Sequence, residues 1–195
     1  MEENQEERPA PKRLFFAIGI PGKLASKLAR LESEVPELKG RRLRNLHVTI
    51  RFLGDTDPGL IPWLLDGARE AASRVPAFPV TLLGLGVFRE RPPTPLFLRI
   101  AEPLGPILSL RGALDQSLSG IQGLRPDDAP LIPHVTLTRL RKRFSGKLKV
   151  LLAQGGDAAH GGFEAESLTL FDSFLGPKGA KHTPIGVFPL GRPSK

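Results

Sequence analysis

Apolar residues in this chain come in short runs with two alternating periods. Residues 13–20, RLFFAIGI, form an apolar run stopped by Pro21 and Gly22, which predicts a buried strand. Leu24, Leu28, Leu31 and Val35 then recur at helical spacing, and Pro36 ends that helix. Residues 45–54, NLHVTIRFLG, alternate and predict a strand closed by Gly54. A second helix is predicted over 58–73, with Pro62 in its first turn. Strands follow over 78–88 and 95–100, joined by the loop RERPPT, and a third helix over 106–118 is entered at Pro106.

The remainder repeats the pattern. Residues 131–140 predict a strand, and 145–156 a helix capped by Ser145 and stopped by glycines. Residues 163–174 and 184–190 predict the closing strands, and residues 1–12 read as a disordered, charged leader. The fold class expected is α+β. Two pseudo-symmetric lobes, each an antiparallel sheet with helices outside, would surround a central cleft in one bilobal domain spanning 13–195.

The repetition is sharpest in two tetrapeptides. HVTI occupies 47–50 and HVTL occupies 134–137, and these motifs hold two of only four histidines. Their histidines stand 87 positions apart, close to half the chain. Alternation puts His47 and Thr49 on one strand face and His134 and Thr136 on one face of the other. Two imidazoles titrating near neutrality can serve as proton donor and proton acceptor, and hydroxyls can donate hydrogen bonds to phosphoryl oxygens. This chemistry suits a phosphate ester. It requires no cofactor, and no ligand cluster with metal-binding spacing is apparent, so no metal is expected.

Composition narrows the partners. The absence of cysteine excludes disulfides, thiolate metal sites and a cysteine nucleophile. A net charge of +8 points to an anionic partner such as RNA or a nucleotide, the more so because four of the first seven residues are acidic. No signal peptide and no apolar run of membrane-spanning length is visible, so a cytoplasmic location and no membrane contact are expected. No protein partner is evident. A monomer is expected, because the duplication supplies both halves of the site.

Four blocks in order carry a resemblance: RLFFAIGIPGKLASKL, NLHVTIRFLGD, IPHVTLTRL and SLTLFDSFLGPKGAKHTPIGVFPL. They resemble the 2H phosphoesterases, and more narrowly the branch of RNA 2′,3′-cyclic phosphodiesterases also called 2′-5′ RNA ligases. The resemblance covers nearly the whole chain after the leader. It implies metal-independent opening of a 2′,3′-cyclic phosphate at an RNA end to a 2′-phosphate, with reversible 2′-5′ joining as a secondary reaction. It makes His47 the proton donor and His134 the proton acceptor. Thr49, Thr136 and Arg139 would bind the phosphate.

The chain departs from the family pattern in lacking any tyrosine. The family often has a tyrosine after the closing Gly-Pro, where this chain offers His182. That histidine, or a phenylalanine, would stack a base instead, or His182 is an exposed loop residue. His160 reads as a loop residue. Arg51 shares the cleft face by alternation, as a third anion contact or a strand-end residue. Arg139 falls on the wrong parity from His134 and needs a strand end, a bulge or a curling side chain to reach the phosphate. The basic stretches 39–44 and 139–143 read either as solvated loops or as an RNA-backbone track. Two other readings remain: a non-catalytic nucleotide- or RNA-binding module in the same cleft, or a phosphodiesterase for another small cyclic or 2′-5′ nucleotide.

Overall fold

The structure, a computed structural model, describes residues 9–39, 43, 45–90, 92–154, 158–176 and 179–191. Residues 1–8 of the expected leader, and most of the 39–44 basic stretch, lie outside the described residues. In chain order the elements are β1 (Lys12–Gly19), α1 (Gly22–Leu28), α2 (Leu31–Glu34), β2 (His47–Thr56), α3 (Ile61–Arg74), β3 (Phe78–Val87) and β4 (Thr94–Ile100). There follow α4 (Gly105–Leu118), β5 (His134–Leu140), α5 (Gly146–Gln154), β6 (Gly161–Ala165), β7 (Ser167–Gly176) and β8 (Gly179–Pro189). The expected α+β class is what forms.

The strands build one antiparallel sheet in the order β6-β3-β4-β5-β2-β1-β7-β8. Each half of that order is a four-stranded lobe, and the lobes join where Val48 of β2 pairs with Val135 of β5. The lobes are not the two halves of the chain, as a simple duplication would have it. β3 pairs with β4 in the second lobe, while β7 returns to pair with β1 in the first. Each half of the chain therefore lends two strands to the other lobe, β3 and β4 one way and β7 and β8 the other, which ties the two together.

The run 163–174 was expected as one strand. It is divided at Glu166, because its two parts pair at opposite ends of the sheet, β6 with β3 and β7 with β1. A single intervening residue spans only about 7 Å between flanking Cα atoms. The sheet must therefore curl until edge strand β6 comes close to the start of β7, next to the other edge, at Glu166. The first helix is also divided. Leu28 and Leu31 are both buried, and between them the backbone tightens into three-residue hydrogen bonds such as Arg30 N–H to Lys27 C=O (3.2 Å).

One face of the sheet is covered by helices. Leu14, Phe16, Ile18, Val48 and Ile50 point into this core with Leu64 of α3 and Leu110 and Leu114 of α4. Ser145 caps α5 as expected, its hydroxyl accepting from Leu148 N–H at 3.1 Å. The other face is open, and it carries the motif histidines.

Candidate active site

The Val48–Val135 rung fixes the register of the two motifs. In an antiparallel ladder it sets His47 opposite Thr136 and Thr49 opposite His134, all on the face the valines do not use. Val48, Ile50 and Val135 are fully buried and Leu137 nearly so, so the motif aliphatics anchor each strand in the core. Burial of these side chains leaves each imidazole no choice but the open face. Each histidine lies beside the other motif's hydroxyl.

Both imidazoles are held in the same way. His47 Nδ1 lies 2.7 Å from the carbonyl oxygen of Asn45, and His134 Nδ1 lies 2.7 Å from that of Ile132. A carbonyl only accepts, so each Nδ1 carries the proton. That leaves Nε2 of each ring as the atom that gains or loses a proton. Asn45 reaches its position with a left-handed backbone (φ 53°), a conformation asparagine tolerates better than most residues.

Aromatic rings wall both histidines. Phe15 and Phe97 are buried, yet neither belongs to the helix-covered core. Their ring centroids lie 5.0 Å from His47 and 4.9 Å from His134 respectively. A second ring meets each histidine edge-on, His182 against His47 at 5.2 Å and Phe88 against His134 at 5.0 Å. Burial lowers the pKa of His47 below the usual imidazole value; the Asn45 hydrogen bond opposes this, and the nearby His182 and His134 add to it. Burial also lowers the pKa of His182.

The parity of Arg139 is resolved by a bulge. Phe97 pairs with Thr136 and Leu96 with Thr138, so Leu137 is an extra residue in β5. The next core-facing residue is Leu140, and Arg139 returns to the open face with His134 and Thr136. β2 has the same bulge. Ala17 pairs with Thr49 and Phe16 with Arg51, leaving Ile50 as the extra residue. Alternation put Arg51 on the open face, but the bulge turns it inward. It is 7% exposed, with Nη1 2.8 Å from Asp115 of α4, and only its edge reaches the pocket beside Thr49. Phe52, 57% exposed, takes the open face instead.

A pocket of about 160 Å³ lies next to Thr49 and His134, walled by Phe52, Phe88, Ile132 and Arg111. His182 sits on β8 opposite Ser173, against the rings of Phe15 and His47, and is not an exposed loop residue. His160 precedes β6, where its backbone N–H donates to Leu82 C=O at 2.8 Å. Arg139, Arg141, Lys142 and Arg143 are all exposed. Among the described residues no three His, Asp or Glu side chains converge to hold a metal ion, and no helix is long and apolar enough to cross a membrane. The sequence reading missed Phe15, Phe88, Phe97, Arg111 and Asp127. Nothing local marks them, because their roles depend on strands and loops distant in sequence.

The curled sheet presents two matched His/Thr pairs on its open face, and comparisons with known proteins find similarity to phosphoesterases. Residues 18–97 match the family model described as LigT like phosphoesterase. An RNA 2′,3′-cyclic phosphodiesterase of Methanothermobacter thermautotrophicus is 27% identical over 187 residues, covering 91% of this chain and 98% of that protein. Another, of Methanocaldococcus jannaschii, is 27% identical over 174 residues, covering 86% and 94%. The fold is shared with a crystal structure from Thermus thermophilus (TM-score 0.74, 22% identity, 93% of this chain and 100% of that one). It is also shared with E. coli LigT complexed with 3′-AMP (TM-score 0.69, 23% identity, 92% and 98%). Over residues 18–97 the chain is therefore similar to the LigT-like phosphoesterases.

Proposed function

We propose that this protein hydrolyses the 2′,3′-cyclic phosphate at an RNA end to a 2′-phosphate without a metal ion. His47 and His134 act as acid and base. The observation that carries this reading is the matched pair of Nδ1–H···O=C hydrogen bonds, which leaves two Nε2 atoms free beside two threonine hydroxyls. In the reaction, neutral His134 takes a proton from water as the water oxygen bonds to phosphorus. The P–O3′ bond breaks, and the departing 3′ oxygen takes the proton of His47. Thr49, Thr136 and Arg139 donate hydrogen bonds to the non-bridging oxygens, where charge accumulates.

The lowered pKa of His47 has two consequences for an acid. It reduces the protonated fraction in the empty site, and it makes the proton easier to give up. Arrival of the anionic phosphate favours the protonated form and offsets the first effect. The relatives' names support the substrate, since those proteins are RNA 2′,3′-cyclic phosphodiesterases. The exposed arginines and lysine after β5 favour a polyanion longer than a mononucleotide.

The test is turnover of an oligoribonucleotide ending in a 2′,3′-cyclic phosphate, with EDTA present, for wild type, His47→Ala and His134→Ala. The expected result is a 2′-phosphate product from wild type, with each variant slower by about 10²–10⁴-fold. Wild-type rates in either variant would remove that histidine from the chemistry. An inactive wild type that binds nucleotide would make the protein a binding module.

A further inference from the structure

We propose that Arg111 of α4 is a positioning residue that holds both motifs of the site in one geometry. The seam between β2 and β5 is one rung long, at Val48 and Val135. Among the described residues no strand pairs with β2 on that side beyond this rung, where Ile50 C=O and Phe52 N–H lie. Unpaired backbone groups at a bulge are costly and invite slippage. Side chains take the place of the missing strand. Arg111 Nη1 donates to Ile50 C=O at 3.1 Å, and the Asp127 carboxylate accepts from Phe52 N–H at 3.2 Å.

Arg111 then joins these two ends. Its Nη1 lies 3.2 Å from the Asp127 carboxylate, and its Nη2 donates to the backbone carbonyl of Asp127. Its Nε donates to Asp115 at 2.6 Å, one turn further along α4, and Asp115 also holds Arg51. One planar guanidinium thus ties a helix, the bulge of β2 and the segment entering β5. The rigid fork of donors suits arginine and cannot be copied by a lysine ammonium.

Both catalytic motifs sit at the ends of these ties. Ile50 is the residue after Thr49. Asp127 begins the segment that reaches His134, and within it Ile132 supplies the carbonyl holding His134 Nδ1. Pro130 and Pro133 stiffen that segment, so fixing Asp127 fixes the carbonyl. His47 takes its tautomer from Asn45, at the other end of the motif and outside this network. The two histidines therefore depend on Arg111 unequally, and His47 becomes an internal control.

The experiment is ring ¹⁵N NMR of the four histidines in the full chain, above the imidazole titration range, for wild type, Arg111→Gln and Arg111→Lys. Wild type is expected to show Nδ1–H at both His47 and His134. In both variants His134 is expected to lose that single form, by exchange or by a shift toward Nε2–H, while His47 keeps it. No substrate is needed, so this arm stands apart from the proposed activity. Where turnover is measurable, kcat should fall about 10–10²-fold with KM changed much less, the pattern of misplaced groups. His134 keeping its wild-type form in folded Arg111→Gln would overturn the proposal. So would equal changes at His47 and His134, which would mean general loosening. If Arg111→Gln does not fold, Asp127→Ala removes the carboxylate that joins Arg111 and Phe52 N–H to the segment before β5, leaving only the main-chain bond of Arg111 to that segment, and the same two outcomes apply.

Discussion

Phe52 and Arg139 stand at the same place in the two motif strands, each three residues past its threonine and each returned to the open face by a bulge. The residue between, Ile50 or Leu137, is the extra one in its strand. The His/Thr pattern is twofold, but here the symmetry ends. One side offers an exposed aromatic ring, the other a guanidinium. This gives the cleft a direction, with a cationic side next to Thr136 and an aromatic side next to Thr49.

Substitution at the two positions should therefore separate. Arg139→Ala is expected to lower kcat/KM for a cyclic-phosphate-ended oligonucleotide by about 10²-fold, mostly in kcat, as an oxyanion donor is lost. Phe52→Ala is expected to act mainly on KM, by the roughly 1–3 kcal/mol that base–aromatic stacking supplies. Steady-state kinetics of both variants on one substrate would show the split. An equal effect on kcat in the two would sink the assignment.

The bulges also explain which parts of the site could be read in advance. Apolar periodicity locates the motif strands, because Val48, Ile50, Val135 and Leu137 are all core residues. The pairing of His with Thr follows from alternation alone. Alternation fails one residue later, where a bulge restarts the count, and a bulge has no mark in the sequence here. Arg51 is thus turned inward and Arg139 outward, the reverse of strict parity. The strand exchange between lobes and the tie from Arg111 to Asp127 are likewise set by long-range contact. His182 reaches His47 only because β7 returns beside β1.

Gly86 makes room for the ring beneath His134. A Cβ added there would lie 2.5 Å from the Phe97 ring, which is itself buried and 4.9 Å from His134. Gly86→Ala must push Phe97 toward the imidazole. The expected cost is about 1–3 kcal/mol of stability from overpacking, with a loss of turnover larger than stability alone explains. Thermal melting and kcat, measured at a temperature where the variant is fully folded, would separate the two. Unchanged turnover would mean that Phe97 is free to yield without moving His134.

Acid should destabilise the fold through its half-buried histidines. Burial lowers the pKa of His47, His160 and His182 below the ordinary value of about 6.5 in the unfolded chain. For His160 the carboxylate of Glu34 partly opposes the shift. Between the folded and unfolded values the unfolded state binds protons that the folded state does not. Stability from these groups is therefore complete above about pH 6.5 and falls as the pH drops toward the folded values. Melting temperature should decline over that window. His160→Gln should make the decline shallower without touching turnover, since His160 lies outside the site. A melting temperature that rises on acidification would contradict the burial of these rings.

His182 should tune the proton chemistry of His47. Burial is the main cause of the lowered pKa of His47, but the His182 ring, 5.2 Å away, adds to it when charged. Replacing His182 with glutamine removes that charge, so the pKa of His47 should rise. If His47 is the acid, its protonated form then persists to higher pH, and the alkaline limb of the kcat profile moves up with it. If His47 is the base, the acidic limb moves up instead, because the base is lost by protonation at a higher pH. The His47 titration followed by NMR, set beside the pH–rate profile of His182→Gln, therefore assigns the two roles as well as testing the coupling. A His47 titration unmoved by the substitution would leave the lowering to burial and His134 and remove His182 from the acid–base chemistry.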